Sequence, residues 1–256
     1  MQEFLKYVSL HGKKIANKNL GQNFLTSKEI IDNIVLNAEI NSDTSVIEIG
    51  CGLGSLTYAI LEKTKKFVGI EKDPLLVDVL INQFLQAKFI NADAMRFDFP
   101  PIVNSNTVII SNLPYNVGTK IVVKLGIEVL SQAKNMTVML QKDVILKIIS
   151  KYDSDSYHQM GVFFQSFCDI THICDVPSSV FSPAPNIISS VVKIVAQSHE
   201  INVAEYWSFI QKAFCFKRKK LSTIFTLVPQ RYANKRPEDI KPREFLEIFI
   251  NLKNTV

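Results

Sequence analysis

Four short segments carry residue types able to do chemistry, and each follows an apolar run. Gly50-Cys51-Gly52-Leu53-Gly54 follows VIEI, and Glu71 closes the next run, FVGI, about 20 residues downstream. Asp93 lies just beyond KFIN, and Asn112-Leu113-Pro114-Tyr115 lies just beyond TVIIS. Glycines permit tight turns and close approach of a ligand to the main chain, although such a turn also arises for purely structural reasons. Gly50 and Gly52 are the candidates for ligand contact. A glutamate at the following strand end can accept both hydroxyls of a ribose. Ser55 stands where a G-x-G-x-x-G pattern would need its third glycine, which argues against a pyrophosphate cradle. Asp93 can accept from an adenine amino group, its alternative being an ordinary loop aspartate.

Glycine, Glu and Asp at three successive strand ends describe a nucleoside pocket, and together they suggest S-adenosylmethionine. The fourth segment then falls beside the donor methyl. Adenine's exocyclic amine is a poor nucleophile because its lone pair is delocalised into the ring. A site that methylates it must hold both amino hydrogens with acceptors and aim the nitrogen. Asn112 offers a side-chain carbonyl, and Leu113, held extended by Pro114, offers a main-chain one. Tyr115 supplies a ring for stacking a base drawn out of its helix. Positioning carries such a reaction, so no His, Lys or metal is needed. On its own, N-L-P-Y is also a proline turn with a buried tyrosine.

The elements that must position these residues alternate between short apolar runs and amphipathic stretches from Val46 to Leu140. That rhythm predicts βαβ units around a parallel sheet, an α/β fold. Ser27 is placed to cap an entry helix with apolar positions at Ile30, Ile31, Ile34, Val35 and Ala38. Ile170 to Val176 and Ile187 to Ala196 read as later strands of the same sheet. Beyond a polar break at 197–202, Val203 to Cys215, Lys219 to Leu227 and Pro242 to Leu252 read as helices. Residues 1–196 are therefore expected to form the catalytic domain and residues 197–256 a small helical one.

Composition sets the outer bounds. In 256 residues, 47% hydrophobic and 21% charged, disorder is excluded, and no apolar run approaches the roughly 18 residues that span a bilayer. A cytoplasmic location with no membrane contact is expected. The four cysteines form no C-x-x-C pair and no zinc spacing, so reduced thiols and no metal are expected. The net charge of +5 is uneven: residues 195–256 hold 11 Lys and Arg against 6 Asp and Glu, whereas residues 1–194 balance at 18 each.

Gln22-Asn23-Phe24-Leu25, Glu48-Ile49-Gly50, Glu71, Asp93-Ala94, Asn112-Leu113-Pro114-Tyr115, Leu140-Gln141-Lys142 and Phe181-Ser182-Pro183-Ala184-Pro185 occur in the order found in ribosomal RNA adenine N6-dimethyltransferases. Over about residues 21–225 the chain resembles that family, and as a whole it is similar to the bacterial small-subunit type. The resemblance implies a class I (Rossmann-like) methyltransferase sheet with a small helical C-terminal domain. It implies dimethylation of two adjacent adenosines in a 3′-terminal hairpin of 16S rRNA, within an assembling small subunit, by a monomer. It further implies that Asn23 and Leu25 close over the cofactor, Gly50 lies under its methionine part, Glu71 binds its ribose and Asp93 its adenine. Asn112 would touch cofactor and target base, with Tyr115 and Phe181 stacking on the base; for Phe181 a core aromatic before a rigid proline turn is the alternative.

The chain departs from the family pattern at Cys51, at Asn186 and Ile188, where a cation and a carboxylate are usual, and at His158 in Tyr157-His158-Gln159-Met160-Gly161-Val162. Lys217-Arg218-Lys219-Lys220 resembles the family's basic helix start and, with the N-terminal lysines, is the candidate RNA contact through phosphates. Two other functions stay open at this level: a resistance-type methylase of large-subunit rRNA, and a mainly non-catalytic assembly factor.

Overall fold

The computed structural model describes residues 1–254. A helix, α1 (Gln2–Ile15), precedes a short strand β1 (Phe24–Leu25) and α2 (Lys28–Asn37). The alternating body follows as β2 (Ser45–Ile49), α3 (Ser55–Leu61), β3 (Phe67–Glu71), α4 (Pro74–Gln83), β4 (Lys88–Asn91), β5 (Thr107–Asn112), α5 (Gly118–Glu128) and β6 (Asn135–Gln141). Next come α6 (Lys142–Ile149), α7 (Gln159–Phe167), β7 (Cys168–Val176), β8 (Phe181–Ser182) and β9 (Ser189–Ala196). The chain closes with α8 (Val203–Cys215), α9 (Leu221–Ile224), α10 (Gln230–Ala233) and α11 (Pro242–Asn254).

Seven strands form one sheet in the order β4-β3-β2-β5-β6-β9-β7. β2 to β6 pair in parallel, and β9 runs antiparallel between β6 and β7. Burial on both faces explains why VIEI and TVII read as continuous apolar runs. The chain proceeds outward from β2 through β3 to β4 and then returns to β5 on β2's other side. The order reverses at β2, so a crevice opens at its carboxyl end. That end is the glycine loop.

Helices cover both faces. Ile31, Ile34 and Val35 of α2 join Leu56, Ala59 and Ile60 of α3 against one face, and Ser27 caps α2 by accepting from the Ile30 N–H at 3.3 Å. On the other face, Ile121, Val122 and Leu125 of α5 meet Phe163, Phe164 and Phe167 of α7. α7 has to be apolar nearly all round because it is enclosed between the sheet and the last helices. Its N-terminus explains the departure at His158, whose Nδ1 accepts from the Met160 N–H and caps the helix.

The sheet's last strand ends at Ala196 and α8 begins at Val203. The closing helices share the core of the sheet: Tyr206, Ile210, Phe245 and Phe249 belong to the same apolar cluster as α5 and α7. The Tyr206 hydroxyl meets Ser166 Oγ at 2.6 Å, and Tyr157 donates to the Ile240 carbonyl at 2.6 Å. The helix expected over Lys219 to Leu227 shrinks to Leu221–Ile224. Phe225 is extended and Leu227 takes φ +64°, which breaks the helix ahead of Pro229. The helix α1 escaped the sequence reading. Its Leu5, Val8 and Gly12 face inward, and Gly12 is required because a Cβ there would lie 2.8 Å from the Ser182 carbonyl.

Phe163 touches Trp207, the chain's single tryptophan, with ring centroids 5.0 Å apart. Phe163→Ala should cost about 3–5 kcal/mol through the cavity it leaves. Tryptophan fluorescence and far-ultraviolet dichroism followed in denaturant should lose stability together. Separate midpoints for the two signals would show that the closing helices do not share the sheet's core.

Candidate active site

The cavity at the carboxyl edge is lined by the ends of β2, β3, β4 and β5 and by residues 19–25, which cross above them. Its floor is the glycine loop. Gly50 and Gly52 take φ +71° and +58°, and a Cβ at Gly52 would lie 2.9 Å from the Phe24 ring. The Gly52 N–H donates to Glu71 Oε2 at 2.9 Å, and the Asp73 N–H donates to Oε1 at 3.0 Å. Each oxygen keeps a further lone pair for an incoming hydroxyl. Burial pushes the Glu71 carboxyl above its ordinary range, and those two N–H donors work against the rise.

Asp93 is more open. Lys72 Nζ lies 2.9 Å from Oδ2, the Met95 N–H donates to Oδ1 at 2.9 Å, and together they hold the carboxyl below its ordinary range. Glu48 is the reverse case, a lone carboxyl inside an apolar strand. Burial pushes it up to about 8, with the Glu71 charge adding to the rise and the Thr57 hydroxyl, donating at 2.5 Å, opposing it. Cys51 is buried beside it, and burial keeps its thiol protonated.

Asn112 ends β5 in register with Met139 of β6. Its Nδ2 donates to the Asn23 carbonyl at 3.0 Å, which leaves Oδ1 as the free edge of the amide. The Leu113 N–H is taken by Met139 at 3.1 Å, and the turn that follows closes on Pro114, whose carbonyl accepts from Gly118 at 2.8 Å. That turn does not consume the Leu113 carbonyl. The Tyr115 ring lines the cavity, and its hydroxyl meets Ser189 Oγ at 2.5 Å. Burial raises its pKa.

Asn23, Leu25, Gly50, Gly52, Glu71, Asp93, Asn112, Leu113, Pro114 and Tyr115 thus converge on one cavity. Phe181 does not line it. β8 pairs Phe181 with Leu25, and the ring, 5% exposed, sits in the core cluster with Leu25 and Val191. Lys217, Arg218, Lys219 and Lys220 stand apart on the exposed turn between α8 and α9. They do not start a long helix: Lys219 lies over the Phe216 ring and Lys220 donates to Asn234 Oδ1 at 3.0 Å. Where the family pattern has a carboxylate at position 188, Ile188 is exposed. Asn186 is also exposed.

Sequence reasoning gave no role to Ser55, Glu48 and Gln22, which line the cavity, or to Asp73, which holds Gln22 at its rim. Asp73 before Pro74 was a readable helix cap, and its Oδ1 accepts from the Leu75 N–H. Ser55 Oγ is buried at the cavity wall with no hydrogen-bond partner among the described residues, an orphan that a polar ligand group would satisfy. That orphan, the spare lone pairs on Glu71 and the open Asp93 fit a nucleoside-bearing cofactor.

A crevice at the reversal point of the sheet and an acidic residue after the second strand fit a nucleoside ligand; with Ser55 in place of the third glycine of a dinucleotide loop and the antiparallel β9 inserted between β6 and β7, they are those of a class I methyltransferase of the S-adenosylmethionine-dependent kind. The model of the ribosomal RNA adenine dimethylase family matches residues 13–244. The chain belongs to this family. It is 31% identical to ribosomal RNA small subunit methyltransferase A of Chlorobium phaeobacteroides, over 95% of this chain and 96% of that one. It is 36% identical to the protein of the same name from Clostridium acetobutylicum, over 80% and 77%. In fold it is similar to a dimethyladenosine transferase from Plasmodium falciparum, TM-score 0.79 at 23% identity, covering 90% of this chain and 98% of that one. The 23S rRNA methyltransferase ErmE shares the fold at TM-score 0.69 and 19% identity, covering 90% and 100%.

The Glu48 carboxyl gives this site a pH signature. Between its ordinary value of 4.5 and about 8, the folded chain keeps a proton that the unfolded chain has released. Stability therefore falls as pH rises through that window. Glu48→Gln carries no charge and keeps an acceptor for Thr57, so its melting temperature should fall less than that of the wild type between pH 5 and pH 8. Equal slopes for the two proteins would contradict this.

Proposed function

We propose that the protein transfers methyl groups to the N6 amines of two adjacent adenosines in a 3′-terminal hairpin of 16S rRNA, giving N6,N6-dimethyladenosine during small-subunit assembly. The observation that carries this reading is the Asn112 amide, whose Nδ2 is committed to Asn23 and whose Oδ1 is free beside Leu113 and Pro114. Two carbonyls, Asn112 Oδ1 and Leu113 O, are the acceptors for the two amino hydrogens. Bound at this edge, S-adenosylmethionine supplies a methyl group on a sulfonium centre. Glu71 would hold its ribose, Asp93 its adenine amine, Gly50 and Gly52 its methionine side, and Asn23 and Leu25 would lie over it. Holding the amine in line raises the rate without a general base, because the methylated nitrogen is cationic and acidic enough to release its proton to water afterwards.

Tyr115 is the stacking face for the extruded base, with its hydroxyl anchored on Ser189. Phe181 supports the site from behind, through β8 and its partner Leu25. Residues 1–196 carry donor and chemistry, and residues 197–256 carry RNA contacts through Lys217, Arg218, Lys219 and Lys220. The protein acts as a monomer in the cytoplasm on an assembling particle. No helix among the described residues is long and apolar enough to cross a membrane. A large-subunit substrate is less well supported, because relatives at 30% identity or more carry the small-subunit name. An assembly role is compatible with catalysis.

The direct test is incubation with S-adenosylmethionine and small subunits from a strain lacking the modification, followed by reverse transcription. Stops at two neighbouring adenosines near the 3′ end are expected, and stops confined to large-subunit RNA would overturn the proposal. Asn112→Ala should lower methyl transfer about 100-fold while still binding particles. Replacing Lys217, Arg218, Lys219 and Lys220 with Ala should weaken RNA binding and flatten its logarithmic salt dependence by about 0.7–0.9 for each phosphate that is no longer neutralised. An unchanged slope would exclude this turn from the RNA interface.

A further inference from the structure

Residues 17–26 form a strap across the cavity, and polar side chains from both of its rims grip it. On the β3 side, Gln22 Nε2 donates to Asp73 Oδ2 at 2.9 Å, while Asp73 Oδ1 is fixed on the first turn of α4 by the Leu75 N–H. Gln22 Oε1 accepts from the Asn17 N–H at 2.7 Å, so the same side chain also ties the strap's beginning. On the β5 side, Asn116 Nδ2 donates to the Asn19 carbonyl at 3.0 Å. Immediately after the Gln22 clasp, the strap's Asn23 carbonyl takes Asn112 Nδ2.

A carboxamide has two edges of the same shape and opposite polarity. Only the oxygen edge can accept from an amine; a flipped amide would set N–H against N–H. The partner of Nδ2 therefore decides what Oδ1 faces, and that partner is the main-chain carbonyl of the strap. We propose that Gln22 and Asn116 are positioning residues for methyl transfer: by pinning the strap at both rims, they hold the Asn23 carbonyl where it fixes the orientation of the Asn112 amide. The inference rests on the reading of Asn112 as an acceptor for the target amine. It separates the strap's influence on the acceptor side from any cover it gives the donor.

The experiment uses the full chain carrying Gln22→Ala and Asn116→Ala together, both at the partly or fully exposed margin of the cavity. Single-turnover methyl transfer to small subunits at saturating S-adenosylmethionine should fall about 10- to 100-fold, with a smaller change in the Kd for S-adenosylmethionine measured by calorimetry. In an Asn112→Ala background the same pair should cost nothing further, because the amide it orients is gone. Gln22→Lys, which keeps a donor toward Asp73, should restore most of the rate in the Asn116 wild-type chain, and Gln22→Glu should not. An equal loss in the Asn112→Ala background, or a weakened Kd with the saturated rate intact, would overturn the proposal. A wild-type protein that binds S-adenosylmethionine yet methylates no adenosine would overturn the reading of Asn112 itself. That result is distinguishable, since failure of the clasp alone leaves the wild-type rate in place.

Discussion

One hydrogen bond joins the two halves of the site. Asn112 Nδ2 reaches the Asn23 carbonyl across 89 residues of chain, at the point where the strap passes over the end of β5. Among the described residues, this bond is what sets which edge of the amide is turned away from the strap. The strap in turn has a fixed path because β1 pairs with β8 and because α1 packs under it through Val8 and Phe24. A reaction that depends on aim rather than on proton transfer places its demands on such supports.

The second constraint is the placing of carboxyls against an apolar sheet. Glu71 is buried and pushed upward, yet it is held by two main-chain N–H groups, so its oxygens have fixed directions. Asp93, only partly buried and paired with Lys72, has its carboxyl held below the ordinary range. Glu48 lies deeper than either and keeps its proton through neutral pH. These three environments follow from depth: Glu48 lies inside β2, Glu71 at the end of β3, and Asp93 beyond β4. A carboxyl placed further along its strand is better solvated and holds its charge more readily.

Of the departures from the family pattern, His158 has a local explanation, since it serves as a helix cap, whereas nothing in the structure explains the exposed Asn186 and Ile188. The basic run from Lys217 to Lys220, expected at a helix start, is displayed on the exposed turn between α8 and α9.

The sheet and the convergence of Gly50, Gly52, Glu71, Asp93 and Asn112 on one edge were readable in the amino-acid order alone. Apolar runs must bury on both faces, glycines must occupy the left-handed turn after β2, and Glu71, Asp93 and Asn112 each end or follow a run, so parallel strands must bring them to one edge. Pro114 likewise dictates an extended Leu113 locally. Contacts between distant segments were not readable. That Asn112 Nδ2 meets the Asn23 carbonyl, that the Tyr115 hydroxyl meets Ser189, that Gln22 meets Asp73 and that Phe181 lies in the core rather than at the cavity wall depend on how separate elements dock. Each rests on a hydrogen bond or a ring packed between residues far apart in the chain. Periodicity and local propensity describe a residue's neighbours along the backbone, whereas these partners are chosen by packing of the folded layers.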